Sequence, residues 1–174
     1  MKVLMLDIDG VLNSSRSCVA FNGYPHDYDE KGMSMFDHCA IALIRKLCKE
    51  TETDIVLSST WRIHEKNPMV HADGLSLPII DCTPVLSRTR GVEINAWLAA
   101  HPEVTCYAIV DDNSDMLPAQ RPYFVQTDFN AGLSLENYLD LKKILTAGEH
   151  QSDILIIECE SGGNQQPEIK EETK

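Results

Sequence analysis

The sequence predicts an α/β fold, a mostly parallel five-stranded sheet covered by helices on both faces. Two observations carry this. Short apolar runs of strand length alternate with stretches whose apolar residues recur at helical spacing. The acidic and hydroxyl residues of interest fall at the carboxyl ends of those runs and not at their amino ends, which is where ligands bind in a parallel sheet. A chain of 174 residues has the length of one domain with a sizeable core.

Taken in order, Lys2–Leu6, Ile55–Leu57, Leu77–Ile80, Val104–Val110 and Tyr123–Val125 read as buried strands. Phe36, Cys39, Ala40, Leu43, Ile44 and Leu47 recur at helical spacing, with Ser34 as the N-cap. A second helix covers Gly91–Ala100, buries Ile94, Trp97 and Leu98, and ends before Pro102. A third starts at Ser134, carries Leu135, Tyr138, Leu141 and Leu145, and stops at Gly148. Asn13–Lys31 is polar and turn-rich with scattered aromatics, more like a flap over a site than a core element. Arg62–Ser76 reads as a second irregular segment, with His64, Pro68 and His71; these two histidines and His26 of the flap read as surface residues. Ile154–Glu158 could add an edge strand, and residues 160–174 form a polar, charged tail expected to be disordered. The domain is therefore expected over residues 1–159.

Composition narrows the function classes. The chain is 43% hydrophobic and 24% charged, as in soluble globular proteins. No apolar run approaches the ~18 residues of a membrane span. Asp7 and Asp9 interrupt the apolar opening too early for a signal peptide, so a cytoplasmic location is expected. A net charge of −12 and a pI of about 4.8 disfavour broad binding to a nucleic-acid backbone, while leaving room for a local basic groove. The six cysteines contain no CxxC pair, which argues against a disulfide framework or a zinc site.

Four segments carry chemistry. In Asp7-Ile8-Asp9-Gly10, strand alternation points both carboxylates the same way, and Gly10 permits a sharp turn. Adjacent carboxylates repel, so the pair calls for a cation or a shared proton. One can attack phosphorus while the other exchanges a proton with the leaving group. In Leu57-Ser58-Ser59-Thr60-Trp61-Arg62, a buried strand ends in hydroxyls and an arginine able to hold phosphate oxygens. Arg88-Thr89-Arg90-Gly91 places cations where the helix dipole opposes them, so another charge must explain them. Asp111 and Asp112 close the most apolar strand, an expensive place for carboxylates without a metal or hydrogen bonds. Read alone, each segment is also compatible with a turn, a cap or a solvated surface.

In this order the four segments resemble the haloacid-dehalogenase (HAD) superfamily of phosphohydrolases over roughly residues 1–147. The LSSTWR (57–62) and RGVEINAWL (90–98) stretches look like the small HAD domains associated with RNA-repair proteins. They also echo the phosphatase half of polynucleotide kinase–phosphatases. The resemblance implies a three-layer, Rossmann-like HAD core with a minimal cap. It implies Asp7 as the nucleophile that forms an aspartyl-phosphate and Asp9 as the acid and base. Ser58 or Ser59 would bind the phosphoryl group, with Arg90 in the place of the family's cation and Arg88 competing for it. Asp7, Asp9 (through its main-chain carbonyl), Asp111 and Asp112 would hold Mg2+. The expected substrate is a phosphate monoester, a nucleotide or similar small molecule, on which Tyr24, His26, Tyr28 and Trp61 could stack. The alternatives are a nucleic-acid end-repair phosphatase, aided by a groove of Arg16, Arg62, Arg88 and Arg90, and a non-catalytic binding module.

Overall fold

The computed structural model describes residues 1–86 and 88–148. The expected edge strand at 154–158 and the tail lie outside the described residues. In chain order the elements are β1 (Lys2–Leu6), α1 (Ser15–Phe21), α2 (Glu30–Met33), α3 (His38–Thr51), β2 (Asp54–Leu57), α4 (Trp61–His64), α5 (Pro68–Leu75), β3 (Ile79–Cys82), α6 (Arg90–Ala100), β4 (Cys106–Asp111), a 3₁₀ turn (Pro118–Tyr123), β5 (Phe124–Gln126) and α7 (Leu135–Thr146).

The five strands form one sheet in the order β3-β2-β1-β4-β5, and every pairing is parallel. Successive side chains of each strand point to opposite faces, and the core divides accordingly. Leu4, Leu6, Ile55, Leu57, Ala108 and Val110 pack on one face with residues of α3 and α7. Val3, Met5, Val56, Tyr107 and Ile109 pack on the other with Ile94, Trp97 and Leu98 of α6. This is the expected three-layer, Rossmann-like core.

Several boundaries differ from the sequence reading. The strand expected at Leu77–Ile80 is shifted to Ile79–Cys82. The Leu77 N–H is spent closing the turn after α5 on the Ala72 carbonyl, and Pro78 has no N–H to give. Ser34 does not cap α3; it ends α2, and Asp37 caps α3 by accepting from the Cys39 and Ala40 N–H groups at 3.0 and 3.2 Å. The flap contains two short helices, and the stretch expected to be irregular after Arg62 contains α5. Cys39 is exposed rather than packed in the core, and the five described cysteines are free. No helix among the described residues is long and apolar enough to cross a membrane.

The order of strands sets the place of the site. The chain winds outward from β1 through β2 to β3, then returns to β4 on the other side of β1. The switch point therefore lies between β1 and β4. Backbone bonds continue the ladder one step past the strand ends. Asp7 N–H donates to Val110 O at 3.1 Å, Ser58 N–H to Leu6 O at 2.8 Å and Thr127 N–H to Asp111 O at 3.0 Å.

Candidate active site

Asp7 leaves β1 at that switch point and is only 4% exposed. Asp111, the last residue of β4, and Asp112 meet it there. One carboxylate oxygen from each of the three lies within 4.8 Å of the others. Gly10 makes this approach possible. Its φ is +77°, and a Cβ there would stand 2.7 Å from Cγ of Asp112. The turn is held by Thr127 Oγ1, which donates to Gly10 O at 2.8 Å.

Three carboxylates in such proximity, two of them buried and Asp112 half-buried, are electrostatically strained without a cation. Burial, reinforced by the charge of Asp111, pushes the Asp7 pKa up to about 8 against the opposing pull of Arg90. Burial raises Asp111 to about 6, although Arg90 again opposes it. Burial, with the charge of nearby Asp9, also holds the Asp112 carboxyl above its usual range. Asp111 Oδ1 accepts from Asn113 N–H at 2.9 Å, but buried Oδ2 has no hydrogen bond, only the Arg90 guanidinium at 3.3 Å. Hard carboxylate oxygens with an unsatisfied lone pair fit a divalent cation such as Mg2+.

Arg90 is the first residue of α6, and its guanidinium turns over the carboxylates. It donates to Ser58 O and lies 3.7 Å from Asp7 Oδ1. Its backbone N–H is taken by Asp115 Oδ2 at 2.9 Å, which supplies the anion that the helix start favours. Arg88 is exposed and lines a cleft of about 260 Å³ that Arg62 and Arg90 also line. The Ser58 and Ser59 hydroxyls are both buried without hydrogen-bond partners. Ser59 lies close enough to favour the charged form of Asp7 without reaching hydrogen-bond geometry.

Asp9 is set differently. Its carboxylate is not one of the three that converge; Asn13 Nδ2 donates to Oδ1 at 2.8 Å and Trp61 Nε1 to Oδ2 at 3.1 Å. Beyond it opens a cavity of about 740 Å³, walled by Tyr24, Tyr28, Trp61, His64, His71 and Phe129 among others. Tyr28 packs on Trp61 with ring centroids 5.2 Å apart, and its hydroxyl lies 2.6 Å from His71 Nδ1. His71 Nε2 faces the Glu65 carbonyl at 2.8 Å, which can only accept. In the neutral ring the proton therefore sits on Nε2, and Nδ1 accepts from Tyr28.

Sequence reasoning named the residues at the sheet edge but missed their supports. His71, expected at the surface, is fully buried because its ring fixes Tyr28. Arg62 lines a cleft with Arg88 and Arg90 but is not a free cation there. It is buried against Glu93 and donates to the Ser59 and Thr83 carbonyls, so three backbone and side-chain acceptors take up its guanidinium. Arg16 is paired with Asp37 at 3.0 Å. The roles of Asn13 and Trp61 toward Asp9 had no signal beyond closeness to the motifs, since only folding brings Trp61 across from β2.

No curated protein and no solved structure matches this sequence. A family profile, the HAD domain in Swiss Army Knife RNA repair proteins, matches residues 3–138. That span holds all of the sheet but Lys2 and every residue of the carboxylate cluster. With the fold and the cluster in agreement, the chain belongs to this family of HAD domains and is a HAD-type hydrolase.

Proposed function

We propose that the chain is a phosphomonoesterase that removes a terminal phosphate from a nucleic-acid end through an aspartyl-phosphate on Asp7. The observation that carries the chemistry is the convergence of Asp7 with Arg90 and the unpartnered Ser59 hydroxyl at one sheet edge. Asp7, Asp111 and Asp112, with the main-chain carbonyl of Asp9, would hold Mg2+. When bound, the ion supplies the positive charge that lets these carboxylates and a phosphate dianion share the site.

An Asp7 carboxylate oxygen attacks phosphorus as the bond to the leaving oxygen breaks. Asp9, oriented by Asn13 and Trp61, gives that oxygen its proton. Arg90 and the Ser59 hydroxyl, with Ser58 beside it, face the charge that develops on the equatorial oxygens. Asp9 then takes a proton from water as the water attacks the phosphoryl group, releasing inorganic phosphate and restoring Asp7.

The family's occurrence in RNA repair proteins supports a nucleic-acid end over a free nucleotide. The helices α1 and α2, inserted after the first motif, are only seven and four residues long, which favours access by a bulky end. Phosphate release from p-nitrophenyl phosphate, wild type beside Asp7→Asn, tests the chemistry; turnover retained in the variant overturns it. Comparing kcat/KM on a phosphorylated oligonucleotide with that on a nucleoside monophosphate tests the substrate. Equal values would return the reading to a small-molecule phosphatase.

A further inference from the structure

Asp9 divides two environments. On one side lies the carboxylate cluster, whose Asp112 feels its charge. On the other lies the aromatic cavity, whose volume of about 740 Å³ is in the range of small-molecule sites. Two ring pairs line it: Tyr28 with Trp61, and Tyr24 with Phe129 at 6.3 Å and nearly parallel. Its carboxylates are Asp9, Asp27 and Glu65, and among the described residues no lysine or arginine lines it. A second phosphate would be repelled there. A flat uncharged ring bearing amino groups would find faces to stack on and acceptors to meet.

The cavity walls are set in advance. Tyr28 is pinned through its hydroxyl by His71. Its ring lies so close to α5 that a Cβ on Gly74 would stand 2.3 Å from Tyr28 Cγ. Trp61 is tied to Asp9 itself. A wall that needs no rearrangement loses less entropy when a ligand enters.

The geometry points to a nucleobase site: the cavity receives the unpaired base of the terminal nucleotide whose phosphate is presented to Asp7. This rests on the phosphomonoesterase reading of the Asp7–Asp9 pair. A base stacked and paired within a duplex cannot enter a side pocket without being extruded, so the substrate is a single-stranded or frayed end.

The test uses single-stranded oligonucleotides, phosphorylated at the 3′ or 5′ terminus, that differ only in whether the terminal nucleotide carries a base or is abasic. The base-bearing end should be hydrolysed with a kcat/KM about 5- to 100-fold higher, the range that one stacked base commands. A blunt duplex end should be poorer than its single-stranded counterpart. Phe129→Ala and Tyr24→Ala should bring the base-to-abasic ratio toward one; Phe129 is 44% exposed, so its loss does not open the core. Equal hydrolysis of base-bearing and abasic ends by the wild type would overturn the base site while leaving the phosphatase standing.

If no ester is hydrolysed at all, the phosphatase reading fails and the cavity is tested alone. Adenosine should quench tryptophan fluorescence in the wild type, and Trp61→Phe, which leaves only buried Trp97, should not respond. Absence of wild-type quenching would overturn the site independently of catalysis.

Discussion

Arg62 and Glu93 form an ion pair in which the two side chains are only 3% and 8% exposed. Arg62 also donates to the Ser59 and Thr83 carbonyls, and Glu93 accepts from Leu86 N–H at 2.8 Å. The pair thus ties the loops leaving β2 and β3 to α6, the helix that begins with Arg90. It acts on the site through the backbone that carries Ser59.

Removing one partner strands a buried charge, so Arg62→Met or Glu93→Leu should each cost about 3–5 kcal/mol of unfolding free energy. Denaturant titration measures this. The double variant Arg62→Met/Glu93→Leu should recover much of the loss, because no charge is then left unpaired. Additive losses would mean that the hydrogen bonds to the loops, and not the charge pairing, dominate.

The carboxylate cluster gives a pH prediction with a definite sign. Burial raises Asp7 to about 8 and Asp111 to about 6 in the metal-free chain. Both lie above the unfolded values, so the folded chain keeps protons that the unfolded chain releases. The stabilising contribution is whole below about pH 4 and is lost as pH rises through 6 to 8. Thermal melts in a chelator should show this decline, and Asp7→Asn should flatten it. Because a cation must displace those protons, Mg2+ should raise Tm more at pH 8 than at pH 5. An equal rise at both values would count against the cluster as the metal's seat.

What the sequence made legible follows from local physics. Strand alternation and carboxyl-end placement located Asp7, Asp111, Asp112 and the Ser58–Ser59 pair, because one strand end is a local property. The supports are not local. Trp61 reaches Asp9, and His71 reaches Tyr28, only once α4 and α5 have packed beside the flap. Arg62 reads as an available cation until Glu93, on a distant helix, is found to take it. The shift of β3 to Ile79 was decided by a capping bond after α5 that no hydrophobic pattern encodes.

The choice between the two arginines is open to direct test. Arg90 touches Asp7 and Asp111, whereas Arg88 is exposed in the cleft that Arg90 also lines. Arg90→Ala should lower kcat on p-nitrophenyl phosphate by roughly 100-fold or more, as loss of a donor to a developing oxyanion does. Arg88→Ala should stay within about twofold of wild type on that ester, as exposed substitutions outside a site generally do. Arg62, Arg88 and Arg90 share one cleft, but with Arg62 paired to Glu93 and Arg16 to Asp37 these arginines offer few free cations to track a strand. Oligonucleotide affinity should therefore fall only gently with salt, with a log–log slope of about −1 in place of the steep slope of a phosphate-tracking protein. A slope several times larger would reveal backbone contacts beyond the terminus.

Trp61 offers the sharpest separation of binding from chemistry. Its ring lines the aromatic cavity while its Nε1–H holds Asp9 Oδ2 at 3.1 Å. Trp61→Phe keeps an aromatic face but removes the donor. Among the described residues Asp9 then retains only Asn13 as a side-chain partner, and on the proposed mechanism it should lose the orientation needed to meet the leaving oxygen. The expected result is a fall in kcat with little change in KM for a base-bearing substrate. The loss should be smaller for p-nitrophenyl phosphate, whose leaving group needs less protonation than an alkoxide. A rise in KM at constant kcat would instead assign Trp61 to binding alone and leave Asn13 as the residue that orients the acid.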